Sequence, residues 1–161
     1  MDYSGVKKQM TLCLLSRGDE LLLGMKKRGF GAGRWNGYGG KVEAGETVEA
    51  AARREMLEES GVSLGDMEKV GVIDFSFAGK SEILAVNIFR SNAHSGAPIE
   101  TEEMKPQWFK LTEIPFTKMW PDDQYWMPLF LAGKKFIGRF HFGSGEANPI
   151  IDHELIEVDA F

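Results

Sequence analysis

Glu55, Glu58 and Glu59 crowd into one and a half helical turns directly after Arg54. At about 100° per residue, Val48, Ala51, Ala52, Glu55 and Glu59 share one stripe of a helix, with Glu58 beside it. Two of the carboxylates therefore extend an apolar stripe and are expected to face a cleft. Like charges at this spacing repel, and burial adds a desolvation cost. A divalent cation relieves both. Oxygen donors of this kind suit Mg²⁺, with Mn²⁺ as a substitute, and Mg²⁺ is commonly held by a few carboxylates plus substrate phosphates. The chemistry such a site supports is phosphoryl transfer, which needs a positioned water, charge neutralisation and one base. Glu55 and Glu59 are the main expected metal ligands, and Glu58 is expected as ligand or base. A solvated acidic helix laced with surface ion pairs is the plain alternative for a Glu-rich stretch. The phase of the glutamates and the glycine loop before them weigh against it. Leu57 falls on the far side, so the helix is expected to be covered on two faces.

The loop Trp35-Asn36-Gly37-Tyr38-Gly39-Gly40-Lys41 is built to bring backbone close to a ligand, using positive φ angles that glycine permits. A carbonyl from Gly39 or Gly40 would complete a metal shell, and Tyr38 and Lys41 are counted with the substrate contacts. A second stretch, Met119-Trp120-Pro121-Asp122-Asp123-Gln124-Tyr125-Trp126, flanks paired carboxylates with indoles. Aromatic faces stack on bases for roughly 1–3 kcal/mol each, and carboxylates read a base edge. Spacing alone favours a blander reading of this stretch, an aromatic core with an Asp N-cap.

The elements that must position these residues follow from pattern. Met10–Leu15 and Glu20–Met25 read as a β-hairpin around Ser16-Arg17-Gly18-Asp19. Gly29–Gly40 is too rich in glycine for a regular element. A helix is expected over Thr47–Ser60, capped by Thr47 and stopped by Gly61. Strands are expected at Lys69–Phe77, Ile83–Arg90, Gln107–Leu111, Phe136–Phe142 and Ile150–Val158. A second helix is expected at Asp122–Leu131, with Pro128 inside it or setting its start. Strands mixed with two helices imply an α/β layer structure, one domain over residues 1–161.

The chain of 161 residues is 43% hydrophobic and 27% charged, a globular balance, with no run long enough for a membrane helix. Its start lacks an apolar signal segment. A net charge of −5 argues against binding a nucleic-acid polymer. A bridging cation reconciles that charge with a phosphate ligand. The single cysteine, Cys13, excludes an internal disulfide, fits a reducing compartment and is read as core. His94, His141 and His153 lack metal-ligand spacing and are read as structural or surface residues.

Gly40, five residues, Glu46, seven residues, then Arg54-Glu55-Met56-Leu57-Glu58-Glu59-Ser60-Gly61-Val62 resembles the Nudix box at every specified position. Seven fixed residues at roughly 6% each make a chance match on the order of 10⁻⁹ per start position. The resemblance implies that Arg54, whose plain alternative is a surface charge, pairs with Glu46 and orients the catalytic glutamates. It implies a further glutamate from outside the box; Glu102 and Glu103 are the candidates, and Glu103 is preferred. Gly24–Lys41 and Met119–Trp126 narrow the likeness to the Nudix hydrolases of oxidised purine nucleoside triphosphates, over Thr11 to Val158. That likeness implies a Nudix α/β/α sandwich around a mixed sheet, Mg²⁺ dependence, and release of pyrophosphate from 8-oxo-dGTP and 2-hydroxy-dATP. It implies that Asn36, Asp122 and Asp123 hydrogen-bond the purine. Thr11, Lys26, Phe30, Phe75, Leu84, Trp120 and Trp126 would line the pocket, with Pro121 in the same contact stretch. It further implies a monomer acting on a small-molecule nucleotide, away from membranes, in the cytoplasm with mitochondrial and nuclear fractions. The chain departs from the family at Leu84 (methionine there) and at Tyr38 and Met127 (phenylalanine there). These near-isosteric changes bear on substrate preference more than on activity. Two alternatives stay open: a Nudix hydrolase of another diphosphate, such as ADP-ribose, a dinucleoside polyphosphate or an RNA cap; and a catalytically silent nucleotide-binding module.

Overall fold

Period-2 alternation in the long strands divides their side chains between two faces, and a computed structural model of the chain, describing residues 7–161, covers each face with a helix. The strands are β1 (Lys7–Arg17), β2 (Glu20–Lys26), β3 (Trp35–Asn36), β4 (Ser63–Leu64), β5 (Met67–Phe77), β6 (Ile83–Ser91), β7 (His94–Ser95), β8 (Met104–Lys110), β9 (Lys135–Phe142) and β10 (Ile150–Val158). The helices are α1 (Val48–Ser60) and α2 (Asp123–Leu131). The sheet runs β10-β9-β5-β6-β1-β2-β3, with β8 on the other side of β2. It is mixed: β1 with β6 and β5 with β9 are parallel, the remaining pairs antiparallel. Cys13, Leu15 and Phe89 point to one face and pack on Ala52 and Met56 of α1. Leu14, Ile73, Phe136 and Phe140 point to the other and pack on Trp126, Met127 and Phe130 of α2. This is the expected α/β/α layering. Cys13 is fully buried, which pushes its thiol up to about 12. No helix among the described residues is long and apolar enough to cross a membrane.

Three expectations need correction. The hairpin forms, but β1 and β2 pair only at the tip, at Ser16↔Leu21 and Arg17↔Glu20. Below the tip the strands part. The glycine-rich loop fills the gap, bridging to β1 at Met10↔Lys41 and Cys13↔Tyr38. Leu57 is 52% exposed, so α1 is covered on one face only. The strand expected at Gln107–Leu111 starts three residues earlier, at Met104. The two helix starts agree with expectation to one residue. Thr47 accepts from the Ala50 N–H at 3.0 Å, and Gly61 closes α1 in a left-handed conformation (φ 75°).

Candidate active site

The parted hairpin creates the site. Along the free flank of β1, the Thr11 N–H donates to the Gly40 carbonyl at 2.8 Å and the Cys13 N–H to the Tyr38 carbonyl at 2.6 Å. Gly39 lies so close to the Thr11 backbone that a Cβ there would overlap it. A Cβ on Gly40 would stand 2.6 Å from the Glu55 carboxyl carbon. Neither glycine has a positive φ. They are needed for close approach, not for left-handed backbone, which in this region is confined to Gly29, Gly31 and Gly33.

Against this loop α1 presents its carboxylates. Glu59 is 9% exposed and accepts from the Gly39 N–H at 3.2 Å. Burial, reinforced by the charge of Glu55, pushes its carboxyl up to about 7. Burial also raises Glu55, opposed by Arg54. Arg54 grips Glu46 through both arms of its fork, at 2.7 and 3.0 Å, and holds Glu46 down to about 2. The same guanidinium reaches Glu55 at 3.0 Å, Glu58 at 3.2 Å and the Lys41 carbonyl at 3.0 Å. Arg54 is thus the hub that sets the rotamer of one inward carboxylate and ties the loop to the helix. Glu58 is more than half exposed and touches the cluster only through Arg54. Glu103 lies across from the cluster and is ion-paired with Arg28 at 2.6 Å, which holds its carboxyl below the usual range.

The donor set fits a hard divalent cation. Two inward carboxylates, each made costly to ionise by burial, are what a cation would relieve. Among the described residues no three acidic, histidine or cysteine side chains already converge on one ion-sized point. The Gly40 carbonyl is engaged by Thr11.

The same loop closes one end of a deep cavity. Its wall comes from Leu12 of β1, Phe75 and Phe77 of β5, Leu84, Val86 and Ile88 of β6, and Phe142 of β9. Its rim is Phe30, Lys26, Asn36 and Trp120, and its floor holds Asp122, Asp123 and Trp126. Thr11, Gly39, Gly40 and Glu59 border it too, so the cavity opens onto the carboxylate cluster at Glu59. Phe30 is 57% exposed and leans on Trp120, ring centroids 5.1 Å apart. Asp122 and Asp123 are 3% and 2% exposed. The Trp126 indole donates to Asp122 Oδ2 at 2.7 Å. Asp122 makes no side-chain cap bond to the helix, so the blander N-cap reading does not describe it. Burial raises both carboxyls, and the charge of Asp122 raises Asp123 further. Burial thus disfavours ionising both carboxyls at once, and Asp123 Oδ2 is buried without a hydrogen-bond partner.

Tyr38, Lys41 and Pro121 stand outside the cavity wall. Tyr38 is fully buried under the loop, its ring against Gly24. Lys41 is exposed and contributes its carbonyl to Arg54. Pro121 borders a separate outer groove with Lys118 and Gln124. Arg34, Phe77, Val86, Ile88 and Phe142 were not foreseen. The alternation from Phe75 to Phe77 and from Leu84 to Ile88 signals them once the sheet faces are known; nothing in the sequence signals Arg34. The three histidines lie away from the carboxylates: His141 bonds Ser76 at 2.7 Å, His153 stacks on Phe140, and His94 lies by Trp108.

A mixed sheet between two helices, with an arginine-organised carboxylate pair beside a glycine loop, defines a class. The NUDIX domain model matches residues 7–130, and the chain belongs to the NUDIX family of hydrolases. It is 54% identical over 151 residues to the oxidized purine nucleoside triphosphate hydrolase of Mus musculus, covering 94% of this chain and 96% of that one. The protein of the same description from Danio rerio is 51% identical, with the same coverage. Among solved structures it resembles a mutator MutT protein from Bacillus halodurans, with TM-score 0.82 and 26% identity over 92% of this chain and 97% of that one.

Proposed function

We propose that this protein hydrolyses oxidised purine nucleoside triphosphates, 8-oxo-dGTP and 2-hydroxy-dATP among them, to the monophosphate and pyrophosphate. Its role would be to remove them before they enter DNA. The observation that carries this reading is the continuity of the site: one cavity joins a buried aspartate pair between two indoles to the Glu59 carboxylate. The likeness to the mouse and zebrafish hydrolases supports the substrate class.

The base lies against Trp120, its polar edge toward Asp122, Asp123 and Asn36. Phe30, Phe75 and Leu84 enclose it, and Thr11 and Lys26 border it on the carboxylate side. The triphosphate then extends toward Gly39, Gly40 and Glu59. Glu55 and Glu59 would hold Mg²⁺, with Mn²⁺ as a substitute, together with a loop carbonyl from Gly39 or Gly40 and with Glu58 or Glu103 as further candidate ligands. A divalent cation bound there would supply neutralisation of phosphate charge and acidification of a water. Arg54, anchored by Glu46, keeps Glu55 in its rotamer. Of the aspartates, the neutral one donates a hydrogen bond and the ionised one accepts. Exchange of the single proton between Asp122 and Asp123 lets one pocket take oxidised guanine and oxidised adenine. The enzyme acts as a monomer. It works in the cytoplasm, with mitochondrial and nuclear fractions.

The test is a panel at low concentration: 8-oxo-dGTP, 2-hydroxy-dATP, dGTP, dATP, ADP-ribose and a dinucleoside polyphosphate, with Mg²⁺ or chelator. Oxidised purines turned over fastest, with pyrophosphate released only with Mg²⁺, is the expected result. A preference for ADP-ribose or the dinucleoside polyphosphate overturns the substrate reading. Full turnover by E55Q/E59Q overturns the site.

A further inference from the structure

Trp120 is the broadest aromatic surface on the cavity rim, yet it belongs to no helix or strand. It follows the turn Phe116–Lys118 and precedes α2. Its indole packs on Phe30, Phe77 and Phe142, and Arg34 adds a polar clamp to that apolar setting. The guanidinium carbon lies 4.1 Å from the ring centroid, a stacked cation–π geometry. Arg34 does not float there. Its Nη1 donates to Asn148 Oδ1 at 3.1 Å and its Nη2 to the Glu146 carbonyl at 2.9 Å, both in the connection between β9 and β10. Its backbone is tied as well: its N–H donates to the Gly31 carbonyl at 3.2 Å and its carbonyl accepts from Lys26 at 3.1 Å. Asn148 is the only non-glycine residue of positive φ (43°) among the described residues. Asparagine tolerates that conformation better than most residues, and here it aims the amide oxygen at Arg34.

We propose that Arg34 is a positioning residue for base recognition, clamping Trp120 and fastening the β9–β10 connection to the cavity rim. This rests on the base-binding reading given above and adds a residue to it. The planar fork is what the site requires. One face of the guanidinium covers the indole while two of its N–H groups bond the loop, which a lysine ammonium cannot do together. Loss of the clamp leaves the carboxylate cluster untouched, because no bond joins Arg34 to Arg54, Glu55 or Glu59. Its effect therefore falls on base affinity and discrimination, not on the phosphate chemistry. Arg34 also lies close enough to Asp122 and Asp123 to oppose the burial of their charge, so the clamp and the base-reading acids share a field.

The experiment is steady-state kinetics of R34A, R34K and N148A on 8-oxo-dGTP and dGTP, with thermal melts to confirm folding. N148A cuts the loop anchor without touching the cavity. For R34A the expected result is a KM for 8-oxo-dGTP raised about tenfold, kcat lowered less than threefold, and a smaller ratio of 8-oxo-dGTP to dGTP efficiency. R34K should recover only part of the KM. N148A should raise KM about threefold. If R34A fails to fold, N148A and R34K decide. Unchanged KM in the folded variants, or a loss confined to kcat, overturns the proposal. Wild-type protein that ignores 8-oxo-dGTP while hydrolysing another nucleotide overturns the substrate reading instead.

Discussion

The carboxylate cluster and the base cavity meet at Glu59, yet opposite forces hold them. Residues 39–59 supply the cluster, with Arg54 as its hub, and its cohesion is charge against charge in a half-exposed setting. The cavity draws on β1, β2, β3, β5, β6, β8, β9, α2 and the loops between them, and its cohesion is apolar packing around two acids whose carboxyls burial raises. One region is made unfavourable in isolation so that a cation can relieve it. The other is satisfied internally except for a single buried oxygen, Asp123 Oδ2. Under the proposed function the first would act on the polyphosphate and the second would choose which one.

That division can be broken by substitution. The largest effect is expected from E59Q or E55Q. kcat should fall roughly 10²–10⁴-fold, while affinity for the nucleoside monophosphate product, measured by calorimetry, stays within threefold. Parallel loss of product affinity would mean the two regions are not separable. Next is R54A. Orienting groups around a metal site are commonly worth about 10–100-fold, so its activity should drop by that order, with partial recovery as Mg²⁺ is raised. A smaller effect is expected from D122N and D123N, each shifting the ratio of 8-oxo-dGTP to 2-hydroxy-dATP efficiency by about tenfold, near 1.4 kcal/mol. If neither ratio moves, proton exchange within the pair is not what admits both bases.

The smallest effect is on stability and carries a sign. The Glu59 carboxyl sits at about 7 when folded, against an ordinary 4.5. The folded state therefore favours its protonated form. That contribution is complete below pH 4.5 and is lost as pH rises through 7. In chelator, E59Q should match wild type near pH 4.5 and exceed it at pH 8 by on the order of 1–3 kcal/mol, read from denaturant midpoints. Mg²⁺ should narrow that gap at pH 8. A gap of the opposite sign would show that Glu59 is not buried as an acid.

The cluster was legible because its residues obey helical period. The phase of Glu55 and Glu59 with Ala51 and Ala52 forecast an inward carboxylate pair, and the inward faces follow. The exposure of Leu57 was not legible, since a helix stripe says which side is apolar but not what lies opposite. The hairpin was read correctly to its tip. Its parting depends on Gly39 and Gly40 docking beside Thr11, an approach made across 29 residues of sequence. Helical geometry carries no notice of such a contact. Arg34 was missed for the same reason: its partners Trp120, Glu146 and Asn148 lie far along the chain. The aspartate pair was placed by its neighbouring indoles, but that the Asp122 carboxyl takes the Trp126 indole and no cap bond depends on how α2 begins, which the spacing does not state.

The flank of β1 opposite the glycine loop has a kinetic corollary. From Lys7↔Ile83 to Leu15↔Ser91, that strand pairs in parallel with one far downstream. Closing so distant a contact is slow compared with winding a helix. In stopped-flow refolding, far-ultraviolet ellipticity should recover ahead of enzymatic turnover, because Gly39 and Gly40 have no edge to dock on until β1 is seated.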